Sequence, residues 1–265
     1  FAASVPLLER AIQSDPEDST AHLLLAWAHD ILGNREAAVR AWRRVLVLDP
    51  QDPDAVAKLV QTLCGLGRET DARETVRELE STLSAHPDQA ASWASRARAW
   101  AALEDWDRAR RALDEGRERF PEDVKLRIVR AEVLASAGDP QEAIEVYASL
   151  TEDAARLHAE DLAHVWRGLG FARHAAGQTE QALAAFEQAT EADPGDRSSA
   201  WAGLNLLGIL GREAEARDLA AQLIEVIPKD SDHLPVLENR GIALVHLKRH
   251  DEAEKILQQV LERDP

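Results

Sequence analysis

The chain has 265 residues, 30% of them charged and 45% hydrophobic, with a formal net charge of −17 and a single cysteine, Cys64. That composition rules out an internal disulfide framework and a cysteine-based zinc site, and no apolar run is long enough to span a membrane as a helix. The negative balance argues against unaided binding of nucleic acid or of an anionic membrane, both of which need a basic surface.

Taken in order, the chain is punctuated by a proline at 16, 50, 87, 121, 194, 228 and 265. The spacings are 34, 37, 34, 73, 34 and 37 residues, and 73 divides as 34 plus 39. Residues 1–18 are expected to form a lone second helix, with Leu8, Ala11 and Pro16 in its pattern. Full repeats follow at 19–52, 53–89, 90–123, 124–162, 163–196, 197–233 and 234–265. Each is expected to be a pair of helices joined at place 15, counted from the first residue of the repeat. Gly33, Gly67, Gly138, Gly177 and Gly211 occupy that place, with Glu104 and Lys248 in the other two repeats. A tight helix–helix turn needs positive φ there, which glycine adopts without steric cost. Place 20 is always alanine (Ala38, Ala72, Ala109, Ala143, Ala182, Ala216, Ala253), so the two helix backbones are expected to approach closely. Large residues at place 24, such as Trp42, Tyr147 and Phe186, fill the adjoining gap. Proline after aspartate, as in Asp49-Pro50 and Asp193-Pro194, ends the second helix.

Unit 163–196 carries the fullest pattern: Trp166, Leu169, Gly170, Gly177, Ala182, Phe186, Ala189 and Pro194 at places 4, 7, 8, 15, 20, 24, 27 and 32. It resembles the tetratricopeptide repeat, W-x₂-L-G-x₂-Y…A-x₃-F…P over about 34 residues, departing from it at Arg173, where the family prefers tyrosine. The resemblance recurs in step along the whole sequence. It implies an all-α fold, a right-handed superhelical solenoid of antiparallel helix pairs, as one array over 1–265. The extra residues fall in alternate repeats, before Pro87, around 151–162 and at 229–235. They are expected at helix–helix loops, where added length costs little. Duplication of a two-repeat unit is the alternative, and the inserted residues share no sequence that favours it.

In this family the first helix of each repeat lines a concave groove, chiefly through places 2, 5, 6, 9, 12 and 13. Carried onto this chain, those places yield Trp27, Lys58, Arg98, Lys125, His164, Arg167, Phe171, His174, Trp201, Asn205 and Asn239 as candidate partner-binding residues. Trp27 and Trp201 are expected to be anchors, because they occupy groove places. Trp42, Trp93, Trp100, Trp106 and Trp166 occupy packing places. Lys58, Arg98, Lys125 and Arg167 make the groove less acidic than the whole, which puts the excess negative charge on outer helices and loops. Asn205 and Asn239 match two of the five polar residues of the family's carboxylate clamp, with Trp201 where its first lysine belongs. So short a match is read as coincidence.

No catalytic arrangement is expected. His246 and His250 form the single histidine pair at helical spacing, straddle a turn and lack a third ligand. No glycine-rich phosphate loop follows a strand, and Cys64 suits a small buried residue better than a reactive thiol. The resemblance therefore implies a protein–protein interaction scaffold that binds a protein or peptide segment, with no cofactor, no nucleic acid and no membrane insertion. Two alternatives stand beside it. One is a regulatory or substrate-recruiting arm of a larger enzyme or of a bacterial envelope or exopolysaccharide secretion machine. The other is self-assembly through uncapped ends, because residue 1 falls at place 17 and Ala253, Ile256, Leu257 and Val260 leave an apolar side on the last helix. Arginine-rich, alanine-rich composition suggests a high-GC bacterial source, and a disulfide-free chain suits cytoplasm and periplasm alike.

Overall fold

The computed structural model describes residues 3–50, 52–83, 89–193, 195–227 and 234–263. Among the described residues it contains α-helices, one 3-10 turn (Ala154–Arg156) and no strand. The helices are α1 (Val5–Ser14), α2 (Ser19–Ile31), α3 (Arg35–Leu48), α4 (Pro53–Gly65), α5 (Glu69–Leu83), α6 (Ala90–Ala102), α7 (Trp106–Arg119) and α8 (Val124–Ser136). They continue with α9 (Pro140–Glu152), α10 (Ala159–Ala175), α11 (Thr179–Ala192), α12 (Arg197–Ile209), α13 (Glu213–Val226), α14 (Leu234–His246) and α15 (His250–Arg263). The chain divides into two compact units, 1–138 with α1 to α8 and 139–265 with α9 to α15. The boundary falls at the Gly138 turn, inside the repeat 124–162.

Every helix pair turns at place 15. Gly33, Gly67, Gly138, Gly177 and Gly211 have φ between 67° and 88°, and Glu104 and Lys248 take the same left-handed conformation at 57° and 58°. The residue after the turn donates its N–H back five residues in six of the pairs. Examples are Asn34 to the His29 carbonyl (2.9 Å), Asp105 to Trp100 (3.0 Å) and Arg249 to Leu244 (2.9 Å). This bond closes the Schellman motif and satisfies a carbonyl that the helix end leaves open.

In the first unit, Ala38, Ala72 and Ala109 are fully buried, and Trp42, Leu59, Leu63 and Leu113 fill the space that the close helices leave. In the second, Ala182, Ala216 and Ala253 do the same beside Phe186, Leu204 and Leu244. Gly170 at place 8 lies so near Phe186 that a Cβ there would come within 2.5 Å of the ring. The small residue is thus a packing requirement, matched to the large one at place 24.

The ends of the 34-residue repeats supply caps. Asp18, Asp52 and Asp123, all at place 34, accept from the backbone N–H of Ala21 (3.0 Å), Ala55 (2.7 Å) and Leu126 (2.8 Å) in the first turn of α2, α4 and α8. Asp196 accepts in the same way from Ser198 (3.2 Å) and Ser199 (3.4 Å) of α12. The two longer repeats with a described junction lack this cap: α6 follows Gln89 and α10 follows His158, neither with a side-chain capping bond. The insertion around 151–162 is only partly loop. It contributes the 3-10 turn and one added turn at the start of α10, which begins at Ala159, four residues before the repeat boundary. The insertions before Pro87 and over 229–233 lie outside the described residues, as do Pro87, Pro194, Pro228 and Pro265.

Candidate partner-binding surface

On the first helices α2, α4, α6 and α8 of the first unit, Leu24 and Ile31 of α2 are exposed, and the groove cations Lys58 and Arg98 are paired within the unit. Trp27 is half-buried, edge-on to Trp42 with ring centroids 5.4 Å apart and planes at 81°. The Lys58 ammonium lies 4.7 Å from the Trp27 ring centroid and 4.0 Å from Asp30. Thr62 donates to the Lys58 carbonyl (2.7 Å) and reaches Asp30 at 3.4 Å. Arg98 pairs with Glu132 at 2.7 Å across successive repeats. Lys58, Gln61, Arg98, Glu104, Trp106 and Glu132 together line a cleft of about 560 Å³. Lys125 is exposed at the start of α8, away from that cleft's lining.

The first helices α10, α12 and α14 of the second unit differ. Phe171 is 46% exposed although its edge meets Phe186 at 5.0 Å, and Trp201 is 55% exposed. His174 and Asn205 are exposed beside them. Two apolar residues absent from the sequence list join this face, Ile209 at 75% and Val245 at 45% exposure. Their signal was present, since they occupy places 13 and 12 of their repeats. Trp201, Asn205, Gly208 and Ile209 are all exposed at spacings of four, seven and eight residues, which is one side of α12.

Two sequence expectations change here. Asn239 is fully buried, so it does not present itself to a partner as the unit stands. Ser95, Val129 and Ala202 at the same place 6 are buried too, whereas Leu24 and Lys58 are not. Arg167 is half-buried and already engaged, donating to Asp196 at 2.8 Å and to the His164 ring nitrogen Nδ1 at 2.9 Å. Asp196 is itself buried, with the Ser199 hydroxyl at 2.6 Å. Arg167 therefore fastens α10 to the capped start of α12.

Charge is divided between the helices of the second unit. The second helices α9, α11 and α13 each carry a net −3, whereas α10 and α14 are balanced. Between α11 and α13, Arg212 bonds Glu215 and reaches Glu180 at 3.3 Å, and the Arg212 bond holds the Glu215 carboxyl below its usual range. Burial, then the neighbouring Glu191, pushes the Glu187 carboxyl up. Arg173, standing where the family prefers tyrosine, is half-buried with its Nη1 on the Gln181 carbonyl at 3.3 Å, and burial lowers its pKa. Burial likewise pushes the Cys64 thiol up, which disfavours the reactive thiolate. Among the described residues, no group of three or more His, Cys, Asp or Glu is placed to hold a metal, and no helix is long and apolar enough to cross a membrane.

Antiparallel helix pairs with a left-handed turn at place 15 and a buried alanine at place 20 define a helical-repeat protein. Family models described as tetratricopeptide repeat match residues 3–156, 126–194, 168–235 and 234–265. The first of these covers more than half the sequence, and the chain belongs to the tetratricopeptide repeat family. No curated protein matches it significantly. Among solved structures it is similar to TTC0263, a thermophilic TPR protein of Thermus thermophilus, at 22% identity and a TM-score of 0.52, over 71% of this chain and 98% of that one. It is also similar to the human IFIT1 dimer with m7Gppp-AAAA, at 13% identity and a TM-score of 0.55, over 98% of this chain and 67% of that one. Both likenesses concern the fold. Arrays of this family are in general protein-interaction scaffolds, typically without catalytic activity, and this chain is a scaffold in that broad sense.

Proposed function

We propose that the scaffold binds a segment of a partner protein on the first-helix face of the second unit. The observation that carries this reading is the set of exposed apolar side chains Phe171, Trp201, Ile209 and Val245 on helices that hold almost no net charge. Large apolar side chains left in water at register-related positions mark interaction surfaces, whereas isolated ones need no explanation. Aromatic anchors are the residues whose truncation costs a complex most. Rigid helices present them already ordered, so little conformational entropy is lost when a partner docks.

Selection of displayed peptides against the full chain tests the reading. Selected peptides are expected to lose about tenfold or more in affinity on Trp201→Ala, the size of an interface anchor, while the unfolding midpoint stays unchanged. Peptides whose binding is indifferent to Phe171→Ser, Trp201→Ala and Ile209→Ser would place the binding surface elsewhere.

A further inference from the structure

We infer that the segment taken by α10, α12 and α14 is amphipathic and basic, with apolar side chains toward Phe171, Trp201, Ile209 and Val245 and lysine or arginine on its outer side. The inference rests on the docking surface proposed above and adds the chemistry of its occupant.

Three observations converge on it. The first is the contact face. Trp201 and Ile209 project from one side of α12, and Gly208 beside Ile209 has nothing within 4 Å of where a Cβ would sit. That opening leaves room for an incoming apolar side chain next to an exposed isoleucine. The second is the charge that the face presents. Arg167 is spent on Asp196 and His164, Arg173 on the Gln181 carbonyl and Arg240 on the Ile227 carbonyl, whereas Glu160 is exposed at the start of α10. The third is the field around it. Residues 139–265 hold 24 acidic and 12 basic side chains, against 24 and 19 in residues 1–138. A segment lying on this face with an acidic outer side enters a negative potential and is repelled. A basic outer side is attracted, which raises the association rate and suppresses the wrong partner.

The first unit lacks this combination. The exposed apolar side chains of its first helices, Leu24 and Ile31, stand on the single helix α2, and two of its groove cations are matched internally, Lys58 to Asp30 at 4.0 Å and Arg98 to Glu132 at 2.7 Å.

The test uses the full chain and three synthetic amphipathic helices of equal length. They share one leucine- and phenylalanine-rich side, and their other side is lysine, glutamine or glutamate. Fluorescence anisotropy at low and high sodium chloride gives the affinities for the parent and for the double variant Trp201→Ser/Ile209→Ser, whose helix content and unfolding midpoint are checked alongside. The lysine peptide is expected to bind about tenfold tighter than the glutamine peptide, to weaken with salt and to lose about tenfold on the double variant. The glutamate peptide is expected not to bind. Equal binding of lysine and glutamine peptides, both lost on the double variant, overturns the basic chemistry and leaves the docking surface standing. Lysine-peptide binding that the double variant does not change overturns both, because the peptide then adheres to the acidic second helices. No binding of any peptide overturns the inference.

Discussion

Arg167 holds two acceptors at once, the Asp196 carboxylate and the His164 ring nitrogen. Its side chain is 28% exposed while that of Asp196 is 4% exposed, so the carboxylate relies on this cation and on the Ser199 hydroxyl rather than on water. Removing one member of a buried pair leaves the other charge uncompensated, which costs more than the pair itself gains. Arg167→Ala is therefore expected to destabilise the second unit by about 3 kcal/mol, the low end for a buried pair because Arg167 keeps some contact with solvent. Chemical denaturation followed by circular dichroism measures it. The double variant Arg167→Ala/Asp196→Ser should recover part of the loss, because serine also caps a helix and buries no charge. A loss below about 0.5 kcal/mol, the level of an exposed pair, would return Arg167 to the partner-facing set. Register arithmetic assigns Arg167 to the first-helix face but cannot reveal this engagement. Asp196 is distant in the repeat pattern and becomes a neighbour only when α12 is laid beside α10. Asn239 illustrates a second limit. Its place is shared by exposed Leu24 and buried Ser95, so the place in the repeat does not by itself fix exposure.

At the scale of the helix, the repeat is legible in the sequence because its geometry demands particular residue types. Positive φ at place 15 selects glycine, and close backbones select alanine at place 20; both demands are local and recur, so both can be counted. The capping aspartate at place 34 is just as local, yet it stands out only once the helix starts are known. It also explains a consequence of the alternating repeat lengths, since α6 and α10 begin without a side-chain cap where α2, α4, α8 and α12 have one. Gln89 precedes α6 in extended conformation, with φ −120° and ψ 125°, so the backbone already suits a capping residue. Gln89→Asp is expected to stabilise the chain by about 0.5–1 kcal/mol, and Asp123→Ala to destabilise it by about 1 kcal/mol through the lost cap of α8. Thermal unfolding of both variants provides the comparison. An unchanged or lowered midpoint for Gln89→Asp would mean that α6 begins with its N–H groups satisfied by other means.

Across the whole molecule, the same repeat is put to different surface uses. The first unit pairs Lys58 and Arg98 with acids of its own first helices, and the second gathers acid on its second helices while leaving apolar side chains on α10, α12 and α14. Each unit has a buried cluster of its own, one that includes Ala26 to Val133 and one that includes Ala182 to Ala253. In a repeat array, stability is approximately a sum of repeat terms and nearest-neighbour terms, so a local loss stays near its origin. Trp42 is the sharpest place to impose one, being fully buried and packed edge-on against Trp27. Trp42→Ala is expected to cost about 3–5 kcal/mol at that site. Hydrogen exchange on the full chain should then accelerate in α2, α3 and α4 and remain near the parent rate in α12, α13 and α14. Faster exchange spread evenly over both groups of helices would show instead that the whole chain opens as one cooperative body. Trp201→Ala in the same experiment is the contrasting case, since removing a 55% exposed side chain creates no buried cavity. Its exchange pattern should match the parent throughout, and that is the condition under which a loss of partner affinity in this variant reports on recognition.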